Sequence, residues 1–242
     1  MELIKVDIHI HTCLSPCAEI SISPKRIVKI AHIKGLKMIF ITDHNTAENA
    51  EAAMRASKEY DDLRVYPGME ITSREEAHTL ALFENITDAL NIQNIIYSHL
   101  PDTENEHEYK EQIIANEFNE VEGYCRKSLF SATDIRINDI VDLIHENHGL
   151  AIASHIDREG FSIVGQLGFI PEDINFDALE ISPNTSMENA RIRFRDYSIK
   201  YNFITGSDSH FLESIGKVYT EFTAENNSFE DFCTYVRKST HH

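Results

Sequence analysis

The chain has 242 residues, 42% of them apolar, which is enough for a continuous core and within the range where an α/β barrel forms one unit, so a single domain over residues 1–242 is expected. Its 40 acidic against 22 basic side chains give a formal net charge of -18, which argues against anionic membranes and long nucleic-acid polymers as partners. No apolar run approaches the ~20 residues that span a bilayer, strand-like alternation starts at once without a leader segment, and Cys13, Cys17, Cys125 and Cys233 are too sparse for a disulfide framework, so a cytoplasmic protein with reduced thiols is expected.

Leu3 to His11 alternates, with Ile4, Val6, Ile8 and Ile10 on one face and Lys5, Asp7, His9 and His11 on the other, which predicts a strand with one polar face. Ser23 and Pro24 open a helix that ends near Gly35, and Met38 to Thr42 reads as a second strand. A helix over Ala47 to Tyr60, a strand over Val65 to Ile71 and an apolar run over Thr79 to Phe83 follow. Ile86 to Ser128 is mostly polar with helical spacing and predicts helices inserted between barrel units. The rhythm resumes with a helix over Ile137 to Asn147 and strands at Leu150 to Ser154 and Ala178 to Ile181. A helix over Met187 to Lys200, strands at Phe203 to Thr205 and Val218 to Phe222, and a closing helix over Ser228 to Lys238 complete the pattern. Strand-helix alternation of this kind predicts an α/β fold, a parallel sheet with helices outside, closed as a barrel or left open. His241 and His242 are set aside as a tag-like ending.

The polar residues fall at strand ends. His9 and His11 lie on one face, about 7 Å apart by strand rise, a spacing at which two imidazoles share one metal or simply hydrogen-bond. Asp43 and His44 follow the second strand, Glu70 ends the third and His78 precedes the fourth. His155 follows Leu150 to Ser154, and Asp208 and His210 follow Phe203 to Gly206. The carboxyl-terminal rim of a barrel collects such residues from distant parts of the sequence. Imidazole and carboxylate donors suit zinc, manganese or iron, and their number exceeds what one ion uses, so a multinuclear centre is expected. Buried hydrogen-bonded polar groups without metal are the competing reading, disfavoured by the cost of burying several carboxylates. His32, His145 and His148 sit late in helices, and His99 and His107 in the polar stretch, where helix ends and solvent account for them. Arg158, three residues after His155, is either a phosphate clamp or the partner of Asp157 or Glu159.

The segments Asp7 to Thr12, Ile41 to Asn45, Gly68 to Glu70, Ala153 to His155 and Gly206 to His210 resemble, in order, the motifs of the PHP family, named for polymerase and histidinol phosphatase. The resemblance implies a distorted (β/α)7 TIM-like barrel with a trinuclear metal site at the carboxyl-terminal strand ends, and a metal-dependent phosphoric ester hydrolase. It implies that His9 and His11 bind a first metal with Glu70 and Asp208, that Glu70 bridges to a second held by His78 and His155, and that a third takes His44 and His210. The family's commoner pattern supplies a further ligand from the loop after the first strand. Here that loop reads Ser15-Pro16-Cys17-Ala18, and Cys17 either replaces the ligand or is a half-buried thiol. The expected reaction is attack of a metal-bound hydroxide on a small phosphorylated substrate, with Glu70, Asp208 and Arg158 as catalytic residues and Asp7 and Asp43 orienting metal-bound histidines. A nuclease for short single-stranded oligonucleotides, a non-catalytic metal-binding regulatory module and an amidohydrolase are the alternatives, while long duplex nucleic acid and membranes are expected not to be partners.

Overall fold

Each central strand carries apolar side chains on both faces, and the fold gives each face a separate partner. In the computed structural model, which describes residues 1–237, the chain begins β1 (Glu2–Ile10), α1 (Pro24–Ile33), β2 (Met38–Ile41), α2 (Ala50–Ala56), β3 (Arg64–Thr72), β4 (His78–Leu82) and α3 (Ile86–Ser98). It continues through α4 (Glu106–Tyr109), β5 (Ile113–Ala115), β6 (Val121–Tyr124), α5 (Ile137–Glu146), β7 (Leu150–Ala153), α6 (Ile163–Leu167) and β8 (Ala178–Ile181). The last elements are α7 (Met187–Arg193), α8 (Arg195–Lys200), β9 (Asn202–Thr205), β10 (Thr220–Ala224) and α9 (Phe229–Val236).

Eight strands form one sheet in the order β10-β1-β2-β3-β4-β7-β8-β9. β1 to β3 are parallel, as are β7 to β9, while β4 runs antiparallel to both β3 and β7, and β10 antiparallel to β1. The chain leaving β9 returns along the end of β1, where the His11 amide donates to the Ser209 carbonyl (3.0 Å) and the Ser209 amide to the His9 carbonyl (3.2 Å). The result is a nearly closed α/β barrel, distorted by the reversed β4.

Inside the barrel, Ile4, Val6, Ile8, Phe40, Leu82, Leu150 and Ile152 pack with Phe229, Phe232 and Val236 of α9, which fills the amino-terminal mouth. A capping box between Ser228 and Asp231 starts α9. Outside, Ile39, Ile41, Met69, Ile71, Ala151 and Leu179 face the helices. Burying one large side chain such as Phe232 stabilises the fold by roughly 1.5–3 kcal/mol.

The strict alternation expected for β1 does not persist to its end. The register of β1 against β2 slips between Asp7 and Ile10, three residues on β1 matching two on β2. Ile10 therefore joins the outer core with Ile39 and Ile41, apart from Ile4, Val6 and Ile8. Residues 86–128 fold as α3, the short α4 and the paired strands β5 and β6, instead of helices throughout. The helix expected over Met187 to Lys200 breaks at Phe194 into α7 and α8. Lys238, His241 and His242 lie outside the described residues. Among the described residues no helix is long and apolar enough to cross a membrane.

Candidate metal centre

Towards the carboxyl-terminal strand ends the barrel interior changes from apolar to polar. In β3, Met69 and Ile71 face the outer core, so Glu70 between them points inward. His155 and Asp208 follow β7 and β9 in left-handed backbone (φ 30° and 47°), which is sparsely populated for residues other than glycine. Gly206 lets the chain close there, since a Cβ on it would lie 2.8 Å from Ile8 Cγ1 and 2.9 Å from His9 Cβ.

Glu70 is buried at the focus of five imidazoles. Its Oε1 lies 2.9 Å from His78 Nδ1 and 3.0 Å from His155 Nε2. Its Oε2 lies 3.2 Å from His44 Nδ1, 3.4 Å from His9 Nε2 and 3.5 Å from His11 Nε2. Asp208 Oδ1 stands 3.4 Å from His9 Nε2 and 3.2 Å from His11 Nε2. The far sides of these rings are held by partners: His9 Nδ1 by Glu180 (3.0 Å), and His11 Nδ1 by Ser15 Oγ (3.0 Å), which itself donates to Asp43 (2.6 Å).

This donor set fits divalent cations. With Nδ1 of His9 donating to Glu180 and Nδ1 of His11 donating to Ser15, both Nε2 atoms present lone pairs, and they face each other at 3.1 Å beside two carboxylate oxygens. In these tautomers the set consists of acceptors alone, which either a proton on His9 or a bound cation reconciles. Among the described residues, three triads bring one ligand atom from each member within 4.8 Å of the others: His9, His11 and Asp208; His11, His44 and His210; and His44, Glu70 and His78. Among the described residues, His155 Nδ1 is buried without a hydrogen-bond partner.

The electrostatics agree. Burial opposes charge on Glu70 and Asp208, yet His78 and His9 hold Glu70 well below its usual carboxylate range, and His9 and His11 do the same for Asp208. Burial and then His210 lower His11 to about 4, and burial and then His11 hold His44 well below the usual imidazole range. Ionised carboxylates and neutral imidazoles are the forms that ligate metal. His9 departs from this: burial opposes its charge, but Glu180, Asp208 and Glu70 outweigh that and raise it, so a metal there must displace a proton.

The PHP domain profile matches residues 7–170, and a profile described as PHP-associated matches residues 188–240. This chain belongs to the PHP domain family. PHP domains are metal-dependent hydrolases that bind several divalent ions. Uncharacterized protein MJ1587 of Methanocaldococcus jannaschii is 34% identical over 101 residues, covering 38% of this chain and 58% of that one. The lesion-specific endonuclease PfuEndoQ from Pyrococcus furiosus shares the fold at a TM-score of 0.75 and 13% identity, over 98% of this chain and 56% of its own. A proposed metal-dependent phosphoesterase from Bifidobacterium adolescentis shares it at 0.62 and 19%, over 94% of this chain and 95% of its own. The PHP chain thus spans little more than half the length of MJ1587 and of the endonuclease.

One comparison overturns an expectation drawn from charge. Endonuclease Q, in complex with a 27-mer duplex substrate carrying an abasic lesion at the active site, matches 98% of this chain at a TM-score of 0.69 and 12% identity, over 57% of its own chain. The expectation that long duplex nucleic acid is not a partner does not stand. Net charge is a sum over the whole chain, whereas phosphates are met by the local field, which bound cations reverse.

Of the residues singled out in the sequence, His9, His11, His44, Glu70, His78, His155, Asp208 and His210 come together at the carboxyl-terminal strand ends. Cys17 Sγ lies 3.0 Å from His210 Nε2, and the thiol is pushed up to about 12 by burial and by the Glu70 carboxylate. Cys13 is buried near Asn49 and the Ile113 carbonyl, so the two cysteines do not form a site of their own. Arg158 Nη2 contacts Asp208 Oδ2 at 2.5 Å, whereas Asp157 accepts from Ser182 and Thr185. Among the described residues, Asp7 touches no imidazole, accepting instead from the Ser207 and Gly216 amides (2.8 and 2.9 Å), and Asp43 reaches His11 through Ser15. Glu180 is the carboxylate the sequence reading missed; its signal was an acidic residue inside the apolar run Ala178 to Ile181, in register with the inward-facing Ala178. His32, His99 and His145 pair with Asp62, Asp134 and Asp177. A cavity of about 160 Å³ opens over the centre, lined by Cys17, His44, Glu70, Thr72, His78, Phe130, His155, Arg158, Phe161, Asp208 and His210.

Proposed function

We propose that this PHP chain hydrolyses small phosphate esters at a centre of two or three divalent ions, zinc, manganese or iron, held by His9, His11, Cys17, His44, Glu70, His78, His155, Asp208 and His210. The observation that carries this reading is Glu70, whose two carboxylate oxygens each face imidazoles from different strand ends within 3.5 Å. In this reading His9, His11 and Asp208 form the first ligand group, His78 and His155 the second across Glu70, and His44, His210 and Cys17 the third. Bound divalent ions would supply Lewis acidity to phosphate oxygens and acidify a water near neutral pH. Glu180 fixes the His9 ring so that Nε2 faces the centre, and Ser15 does so for His11. Arg158, with one nitrogen on Asp208 and its fork at the cavity wall, binds phosphoryl oxygens and orients them.

Endonucleolytic cleavage is the second reading, favoured by the fold shared with PfuEndoQ over 98% of this chain. Metal-loaded protein is assayed for phosphate release from monoesters and for cleavage of single-stranded and duplex oligonucleotides, with and without an abasic site. Turnover of monoesters, lost on chelation and in Glu70→Gln, supports the proposal. Strand cleavage without monoester turnover favours the second reading, and silence on every ester with metal bound contradicts both.

A further inference from the structure

We propose that Phe130 and Phe161 form a ring-binding subsite at the mouth of the centre, selecting phosphate esters whose alcohol portion carries a flat ring, either a nucleoside or an aryl group. This rests on the phosphoesterase reading and names its substrate class. Both phenyl rings line the cavity together with Glu70 and Arg158, yet they are 60% and 45% exposed. They extend the imidazole cluster outward: the Phe130 ring lies 5.8 Å from that of His44, and the Phe161 ring stacks on His78 at 4.9 Å with an interplanar angle of 21°.

Neither ring stands there by default. The buried Asn45 donates its side-chain amide to the carbonyls of Leu129 (2.9 Å) and Ser131 (3.0 Å) and accepts from the Thr72 amide (2.9 Å), clamping the backbone on both sides of Phe130. Phe161 has a φ of 59°, a strained conformation for a bulky side chain, and its carbonyl accepts from the His78 amide at 2.8 Å. Glycine or asparagine would sit there with less strain and without an exposed apolar surface. Phe161 thus stands in a strained conformation, both rings keep an exposed apolar surface that does not favour folding, and both line the same cavity. Aromatic faces bind flat rings of any sequence or substituent by stacking, which needs no positive charge.

The test compares steady-state kinetics of the metal-loaded full chain on adenosine 5′-monophosphate, phenyl phosphate and glycerol 3-phosphate, in the wild type, Phe130→Ala and Phe161→Asn. A ring ester should exceed glycerol phosphate by about tenfold or more in kcat/KM, and each variant should cut that ratio about tenfold, chiefly through KM. Phe161→Asn should leave Tm unchanged or higher, since asparagine tolerates the left-handed backbone. Preference for the nucleotide alone identifies a nucleoside subsite, and preference for both ring esters a general flat-ring subsite; either supports the proposal. Equal kcat/KM for all three esters in the wild type overturns it, as does an equal loss on all three in the variants, which marks a merely structural role. Silence on all three would fail the phosphoesterase reading, and the subsite is then decided by calorimetric titration. Tighter binding of adenosine 5′-monophosphate than of ribose 5-phosphate, abolished by Phe130→Ala, supports it, and equal binding overturns it.

Discussion

Glu70 and Glu180 illustrate two ways in which a single carboxylate organises histidines. Glu70 must be ionised so that both of its oxygens are acceptors, because imidazoles approach each of them, and an amide would present one acceptor and one donor. Glu70→Gln is therefore expected to abolish phosphate release while leaving the far-ultraviolet circular dichroism spectrum intact; retained turnover would remove Glu70 from the centre. Glu180 acts through His9, and losing such an outer partner typically costs about 10–100-fold in metal affinity or activity. Glu180→Gln should weaken metal binding within that range, read by competition with a chromogenic chelator, and unchanged affinity would make the contact incidental. Arg158→Ala should raise KM more than it lowers kcat if the guanidinium binds phosphate, and change neither if its bond to Asp208 is its whole role. His44, His155, Asp208 and His210 were legible because each follows an apolar run, so strand position alone selected them. Glu180 was not, since it lies inside the apolar run Ala178 to Ile181, and only the pairing of β8 with its neighbours shows that it faces His9.

The existence and order of the strands were readable from alternation and turn residues, but the direction of β4 and the slip in β1 were not. Both depend on which strand lies alongside, and periodicity within one segment carries no record of its partner. The slip matters for the site: without it, His9 and His11 would stay on the face opposite Ile4, Val6 and Ile8, outside the barrel. Gly206 packs against this irregular end of β1, and a Cβ there would lie 3.0 Å from the His9 amide nitrogen. Gly206→Ala should therefore cost about 1–3 kcal/mol by overpacking and displace His9, seen as a lower Tm together with weaker metal binding; a neutral effect on both would mean that the strand ends shift without consequence. At the opposite end, Asp177 ties three elements together, accepting from His145 of α5 (2.9 Å), the Ala151 amide of β7 (2.8 Å) and Arg237 beyond α9 (2.7 Å). Burial opposes its charge, but these bonds, His145 and Arg237 first, hold its carboxyl below the usual range. A carboxyl lowered on folding stabilises above its unfolded pKa, about 3.9, and that contribution is lost as pH falls through the lower folded value. Asp177→Asn should cost about 1 kcal/mol at neutral pH, discounted for the half-exposed Arg237. The Tm difference from wild type should close below about pH 4, and a difference independent of pH would contradict the assignment.

For the molecule as a whole, the excess of 18 negative charges was informative about partners only on average. It set aside duplex nucleic acid too readily, because the fold gathers imidazoles and carboxylates that could hold metal ions into one cavity, and bound cations would make the local field there more positive than the net charge suggests. The same coupling predicts a stability effect: ions that bind only the folded chain stabilise it by about 2.7 kcal/mol at a hundred times their Kd, so chelation should lower Tm and added zinc or manganese should restore it. The central claim is that the polar end of this barrel is a multinuclear metal centre, and metal content tests it most directly. Elemental analysis of the full chain, purified without chelator and set beside Glu70→Gln, should find at least two divalent ions per wild-type chain and fewer in the variant. Wild-type protein that carries no metal, and takes up none from zinc, manganese or iron at neutral pH, would contradict the account.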